Sequence, residues 1–172
     1  MSEIIQPNPE WYAVHVKSRH EAKVNDRLKL KGIEVFLPTV ERISKWKDRK
    51  KKVEFPLFPG YLFVHTLNEA DKLLSVLKVA GVVRMICTVP GRPDPIPDDQ
   101  IISLQKLIEN KEALDPYPYL NEGQQVRIIR GALTGIEGIL VKKLDKHLLV
   151  LSVDVLQQGV ALTISASEVE KV

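Results

Sequence analysis

Cysteine is almost missing: the 172 residues hold one, Cys87. That excludes an intrachain disulfide and a cysteine-based zinc site. A lone cysteine in an apolar, strand-like context reads as a small core residue. No apolar run approaches the roughly 18–20 residues of a membrane span. Residues 1–10 lack the cationic and apolar segments of a signal peptide, so the expected location is cytoplasmic. A large excess of one charge is also absent. Lys and Arg number 25 against 22 Asp and Glu, so any contact with nucleic acid has to come from local clustering. Catalytic groupings are lacking too. The four histidines, at 15, 20, 65 and 147, are scattered. No Ser/His/Asp or Cys/His pair, phosphate loop or metal-ligand spacing stands out. The chain is expected to be no enzyme and to use no cofactor or metal.

What is present is concentrated. Residues 45–52 form a basic run, and Pro56-Leu57-Phe58-Pro59-Gly60-Tyr61-Leu62-Phe63-Val64 follows it. The prolines and glycine dictate a turn, with Phe58, Tyr61 and Phe63 beside it. Aromatics next to a fixed turn make a docking surface, and a cationic hairpin beside them points to nucleic acid. The same residues also fit a core strand flanked by a solvated lysine loop. Chemistry alone leaves both readings open.

Residues 11–17 are β-rich. Ser18 with Glu21 three residues later is a capping-box pattern, and the helix it starts should end at Gly32. Residues 34–43 are extended, and residues 53–66 return as a strand after a basic loop, giving a long hairpin. Asn68 is a possible cap for a second helix, whose Ala70, Leu73, Leu74, Leu77 and Ala80 follow helical spacing and should pack on a sheet. Residues 82–88 read as a strand, the four prolines of 90–97 as an irregular connection, and Asp98 as the start of a third helix with Ile101, Leu104, Leu107 and Ile108 on one side. This order predicts an α+β fold: an antiparallel sheet with helices on one face in the split-βαβ, ferredoxin-like arrangement. Pro116 and Pro118 mark residues 111–122 as a linker. From Gly123 onward, short β-rich runs at 125–129, 138–142, 148–155 and 160–164 predict a small β-barrel.

One further pattern is charged. Arg19, Lys23, Arg27 and Lys31 recur every four residues and form a slowly drifting stripe on the first helix. Such a stripe is either a solvated face or a phosphate-binding one. Trp46, inside the basic run, either stacks on a base or covers the hairpin.

Two segments carry a family resemblance. "WYAVHVKSRHEAKV", "EVFLP" and "FPLFPGYLFV" form the first; "GQQVRIIRGALTGIEGILV", closing in "SEVEKV", forms the second. Together they resemble the amino-terminal and KOW domains of the bacterial NusG transcription elongation factors, over nearly the whole chain. "DRKKKVEFPLFPGYLFV" and "GVVRMICTVPGRPDPIPDDQI" are most similar to the specialised RfaH- and UpxY-type antiterminators. The resemblance implies an amino-terminal domain over residues 1–110, a linker over 111–122 and an SH3-like KOW barrel over 123–172.

The family implies a monomeric antitermination factor. Its first domain docks on the clamp helices of the largest RNA polymerase subunit and disfavours the paused, open state. By motif, the docking residues are His15, Phe58, Tyr61 and Phe63. Alternation puts Tyr61 and Phe63 on one sheet face and Leu62 and Val64 on the other; the family favours the Tyr61/Phe63 side as exposed, against a plain core reading of Phe63. His15 stands where specialised relatives often carry an aromatic. Lys17, Arg19, Lys23, Arg27 and Lys31 are the implied contacts to non-template DNA, while Lys47, Arg49 and Lys50 reach upstream DNA, mostly through phosphates. Where some relatives carry a histidine/threonine-rich patch facing the polymerase gate loop, this chain has Lys72-Leu73-Leu74-Ser75. The KOW domain of relatives recruits a small-subunit ribosomal protein or the termination factor Rho. Its contact loop corresponds to residues 130–138, with Leu133, Thr134 and Ile136 as candidates. Leu133 and Ile136 equally fit a role as barrel filling. No membrane contact is implied. A ribosome- or RNA-associated KOW protein is the competing reading.

Overall fold

The computed structural model describes residues 6–172, and the chain divides into two units. One runs up to Leu37 and resumes over Pro59–Asp98; the other comprises Pro38–Phe58 and Asp99–Val172. In chain order the elements are β1 (Glu10–Val16), α1 (Glu21–Leu30), β2 (Glu34–Phe36), β3 (Thr39–Trp46), β4 (Arg49–Pro56), β5 (Tyr61–Thr66), α2 (Ala70–Leu77), β6 (Val82–Met85), β7 (Pro95–Ile96) and α3 (Asp98–Glu109). Then come β8 (Asp115–Pro118), β9 (Gln124–Ile128), β10 (Glu137–Lys143), β11 (Lys146–Val153), β12 (Gln158–Ile164) and β13 (Val169–Lys171). The α+β class and the antiparallel sheets are as the sequence predicts.

In the first unit the strands run β2-β5-β1-β6, with β7 added to β1, all antiparallel. Alternation along β1 sends Tyr12, Val14 and Val16 to one face, where Tyr12 lies opposite Val64 and Val14 opposite Leu62. These side chains form a core with Val24 and Leu28 of α1 and with Val76, Val79 and Met85. Val24 and Leu28 are one helical turn apart, so a narrow stripe suffices to seat α1. Each fully buried aliphatic side chain contributes about 1.5–3 kcal/mol. The Tyr12 hydroxyl donates to Glu10 Oε2 at 2.8 Å. Burial, and then the nearby carboxylate, push its pKa up.

The helix ends correct three sequence expectations. Gly32 stops α1 as predicted, at φ +73°. Its start differs: His20 occupies the cap position and no side chain caps the helix. Arg19 before it is left-handed at φ +61°, so the chain turns ahead of the helix. Glu21 serves the interior instead of a capping box. For α2, Glu69 occupies the cap position in place of Asn68. The face of α2 is also rotated from expectation. Val76 and Val79 are buried and Leu73 is partly so, whereas Leu74 is 47% and Leu77 42% exposed. The exposed stripe is Ala70, Leu74 and Leu77. The β-branched pair three residues apart takes the core, and the leucines are left outside. Gly81 ends this segment at φ +103°, where a Cβ would meet Val24 Cγ2 at 2.7 Å, so close approach requires glycine.

In the second unit the basic run is strand and not loop. β3 and β4 pair over eight positions, from Thr39↔Pro56 to Trp46↔Arg49, around the two-residue turn Lys47-Asp48. Residues 57–60 then separate β4 from β5, and β5 joins the other sheet. The barrel strands run β13-β9-β10-β11-β12-β8. β8 lies inside the stretch expected to be a linker and pairs with β12. Its two prolines sit on the edge of the sheet, where a missing N–H costs nothing. Of the predicted side of α3, Ile101, Leu104 and Leu107 are buried and Ile108 is half-buried. Gln100 Nε2 and the Tyr119 hydroxyl both donate to the Asp154 carboxylate at 3.0 Å.

Candidate functional site

The first sheet's other face is aromatic. Trp11, Ala13 and His15 of β1 lie opposite His65, Phe63 and Tyr61 of β5, and Phe36 of β2 lies opposite Phe63. The rings pair off along the sheet. His15 stacks on Tyr61 with centroids 5.2 Å apart, Phe36 on Phe63 at 6.0 Å, and Trp11 on His65 at 4.8 Å. Trp11 also meets Phe36 edge-on at 6.4 Å. His65 Nδ1 faces Glu34 Oε2 at 2.7 Å and its Nε2 faces the Pro9 carbonyl at 3.2 Å. Offset and edge-to-face pairs of this kind are favourable beyond their buried area.

Within this face, exposure is uneven. His15 and Tyr61 are half-buried, whereas Phe63 is fully buried; Phe58, which belongs to the other unit, is also buried, at 1% exposed. The expectation of an exposed Tyr61/Phe63 side therefore holds for Tyr61 only in part and fails for Phe63. Phe63 sits mid-strand on β5, between β2 and β1, opposite Ala13 and stacked on Phe36. Trp11, Phe36 and His65 belong to the same face, yet motif reasoning passed over them. The signal was available, because Trp11 and His15 share the period-2 alternation of β1.

The turn that presents Tyr61 is held from two sides. Gly60 N–H donates to Glu21 Oε1 at 2.8 Å, and Val16 N–H donates to the Gly60 carbonyl at 2.8 Å. Glu21 is 7% exposed. A buried carboxylate accepting a backbone N–H forms a charge-assisted bond of about 1.5–3 kcal/mol. Helix α1 thus fixes the turn that carries the His15–Tyr61 stack.

The stripe of cations divides. Lys17, Arg19, Lys23, Arg27 and Lys31 are all exposed, but Arg19 precedes α1 and is not part of its helical face. Arg27 Nη1 donates to the Ala80 carbonyl at 2.6 Å, and Lys31 Nζ to the Ser75 carbonyl at 3.1 Å. Lys31 thereby satisfies a carbonyl in the last turn of α2, where a cation also complements the helix dipole, and Arg27 satisfies one in the turn that follows the helix. Lys17, Arg19 and Lys23 form no ion pair among the described residues.

On the hairpin, Lys47, Arg49 and Lys50 are exposed. Lys45 lies directly opposite Lys50, and Ile43, 66% exposed, lies opposite Lys52. Like charges directly across a ladder destabilise it. The Trp46 side chain lies outside the described residues.

In the barrel loop, Leu133 and Ile136 are 9% and 3% exposed. They fill the interior, the alternative that the sequence left open. Thr134 is exposed; its Oγ1 donates to the Gly131 carbonyl at 2.7 Å, and its own carbonyl accepts from Lys106 Nζ at 2.9 Å. Among the described residues no group of three His, Cys, Asp or Glu could hold a metal ion, and no helix is long and apolar enough to cross a membrane.

Comparison with known proteins gives a consistent result. Residues 9–105 match the NusG family model, described as transcription termination factor nusG. The transcription termination/antitermination protein NusG of Buchnera aphidicola subsp. Baizongia pistaciae is 27% identical, covering 94% of this chain and 95% of the relative. The protein of the same description from Thermus thermophilus is 30% identical, over 77% of this chain and 82% of its own. A solved structure described as "Domain interaction in Thermotoga maritima NusG" shares the fold, with a TM-score of 0.54 at 23% identity over 95% of this chain and 97% of that one. With the family model matching more than half of its length, this chain belongs to the NusG family.

Proposed function

We propose that this chain is a transcription elongation and antitermination factor that binds RNA polymerase and lowers its tendency to pause. Family membership supports the class of activity. The observation that carries the docking assignment is the half-exposed His15–Tyr61 stack, fixed by Glu21 and Gly60 on the sheet face opposite α1 and α2. A rigid aromatic pair of this kind is suited to receive the apolar side of a partner helix. The proposed partner is the clamp-helix pair of the largest polymerase subunit. Phe63, buried and stacked on Phe36, then supports the surface from within the same sheet. No step needs catalysis: a factor that binds the closed clamp better than the open one shifts the population toward it.

Lys17, Arg19 and Lys23, with Arg27, are the proposed contacts to non-template DNA, and Lys47, Arg49 and Lys50 those to upstream DNA. We take residues 1–110 as the polymerase-binding region, 111–122 as the connection and 123–172 as the KOW region, which recruits a ribosomal protein or Rho through the exposed part of its 130–138 loop. Within the family, the strings around residues 48–64 and 81–101 favour the RfaH- and UpxY-type antiterminators. The test is a single-round transcription assay on a template with a strong pause. Added protein shortens the pause; an unchanged pause lifetime at saturating protein contradicts the proposal. A ribosomal or RNA-bound role would instead appear as binding to ribosomal RNA with no effect on polymerase.

A further inference from the structure

A second basic hairpin stands in the barrel. The β10–β11 tip reads Lys142-Lys143-Leu144-Asp145-Lys146-His147. Lys143 lies directly opposite Lys146, and Lys142 directly opposite His147. The like charges of Lys143 and Lys146 in this position cost stability, and none of the three lysines has an ion pair among the described residues. Leu144 heads the turn at φ +56° and is 87% exposed. A branched apolar residue in the left-handed region is unfavourable, and this one gains no burial in return. Nothing in the packing of the barrel accounts for such a tip.

Its construction repeats that of the β3–β4 hairpin. Both turn on two residues ending in aspartate, Lys47-Asp48 and Leu144-Asp145, with the first residue left-handed at φ +51° and +56°. In both, a lysine pair faces itself across the ladder within one position of the turn: Lys45 with Lys50, and Lys143 with Lys146. Beside the second tip lies an open cleft of about 540 Å³, lined by Lys146, His147, Thr163 and Ser165 together with Asp145 and Glu168. The Glu168 carboxylate is already engaged, accepting from Ser165 N–H at 3.0 Å. The cleft therefore balances one lysine against two carboxylates, and the cationic surface is the tip itself, at Lys142, Lys143 and Lys146.

We propose that the β10–β11 tip binds the phosphodiester backbone of a single-stranded nucleic acid. Lysines about 5 Å apart across a ladder suit a ligand whose negative charges recur along a chain. A phosphate between Lys143 and Lys146 relieves their mutual repulsion, and the next is within reach of Lys142. The single aspartate at the turn is outweighed by three lysines.

The test is fluorescence anisotropy with the full chain and labelled 12-mers of RNA and of DNA of the same sequence, across a salt series. The variant is Lys142→Gln/Lys143→Gln/Lys146→Gln. Its affinity should fall roughly tenfold or more at low salt, and the slope of log K against log salt should flatten by about 2, as expected for three lost phosphate contacts on a single strand. Its melting temperature should hold or rise, because opposed charges are removed. Loss on both strands supports backbone recognition, and loss on one strand supports it and names the source. Unchanged affinity and slope overturn the proposal, as does equally tight binding of a polyglutamate of equal length.

Discussion

The two faces of the β2-β5-β1-β6 sheet are made from the same strands by alternation, yet they differ in kind. One face carries the aliphatic Val14, Val16, Leu62 and Val64 beneath α1 and α2, with Tyr12 as its one ring, its hydroxyl paired with Glu10. The other carries stacked rings, from His15 and Tyr61 through Phe36 and Phe63 to Trp11 and His65. Aliphatic side chains suit a helix-covered core because they fill volume without needing a polar partner. Rings with polar edges suit a surface that meets another protein. On the proposed docking, stability and recognition fall to successive residues of one strand, so a substitution and its neighbour should fail in different assays.

The largest expected effect is on the aliphatic face. Leu62→Ala should destabilise the protein by about 3 kcal/mol, read by denaturant unfolding; a loss below about 1 kcal/mol would break the division. Next comes its neighbour. Tyr61→Ala should lower polymerase affinity by about 2 kcal/mol while changing stability by less than about 1 kcal/mol. Unaltered affinity, or a collapsed fold, would remove Tyr61 from the docking surface.

Glu21→Ala joins the two faces, since Glu21 lies on α1 and holds the turn before Tyr61. It should cost about 1.5 kcal/mol of stability and weaken polymerase binding as well; a purely thermal effect would mean that the turn needs no clamp. Lys23→Ala with Arg27→Ala should reduce crosslinking to exposed non-template DNA and flatten the salt dependence of binding by about 1.4, leaving clamp binding intact. Arg27→Ala alone should also lower stability slightly, because the Ala80 carbonyl loses its donor.

The smallest effect concerns Tyr12. Its folded pKa is raised by burial and then by Glu10, so its contribution is full below the unfolded value of about 10 and is lost as pH rises beyond it. Stability should therefore fall above about pH 10 more steeply in the wild type than in Tyr12→Phe. Parallel curves would show that this hydroxyl plays no part.

Much of the fold was legible because local signals agreed with the tertiary result. Gly32 ended α1, and the Ile101/Leu104/Leu107 stripe marked the buried side of α3. The misses share a physical reason: sequence pattern does not say which of two adequate choices the rest of the fold will take. On α2, Leu74 and Leu77 had the spacing of a buried face, but Val76, with Val79 just beyond the helix, reached the core. Glu21 fitted a capping box, yet its carboxylate went to Gly60, 39 residues away. Pro116 and Pro118 read as a linker because an edge strand accepts the same residues. For the site, the Tyr61 turn was readable from its prolines and glycine. Alternation along β1 and β5 was enough to put Trp11 with His15 and His65 with Tyr61, but their pairing, and the place of Phe36, depend on register across three strands.

The central claim is that the aromatic face docks on polymerase. The most direct measurement is the affinity of the full chain for RNA polymerase with intact and with deleted clamp helices, repeated with Tyr61→Ala. The account predicts tight binding only when the clamp helices and Tyr61 are both present. Binding that survives loss of the clamp helices, or that ignores Tyr61, would contradict it.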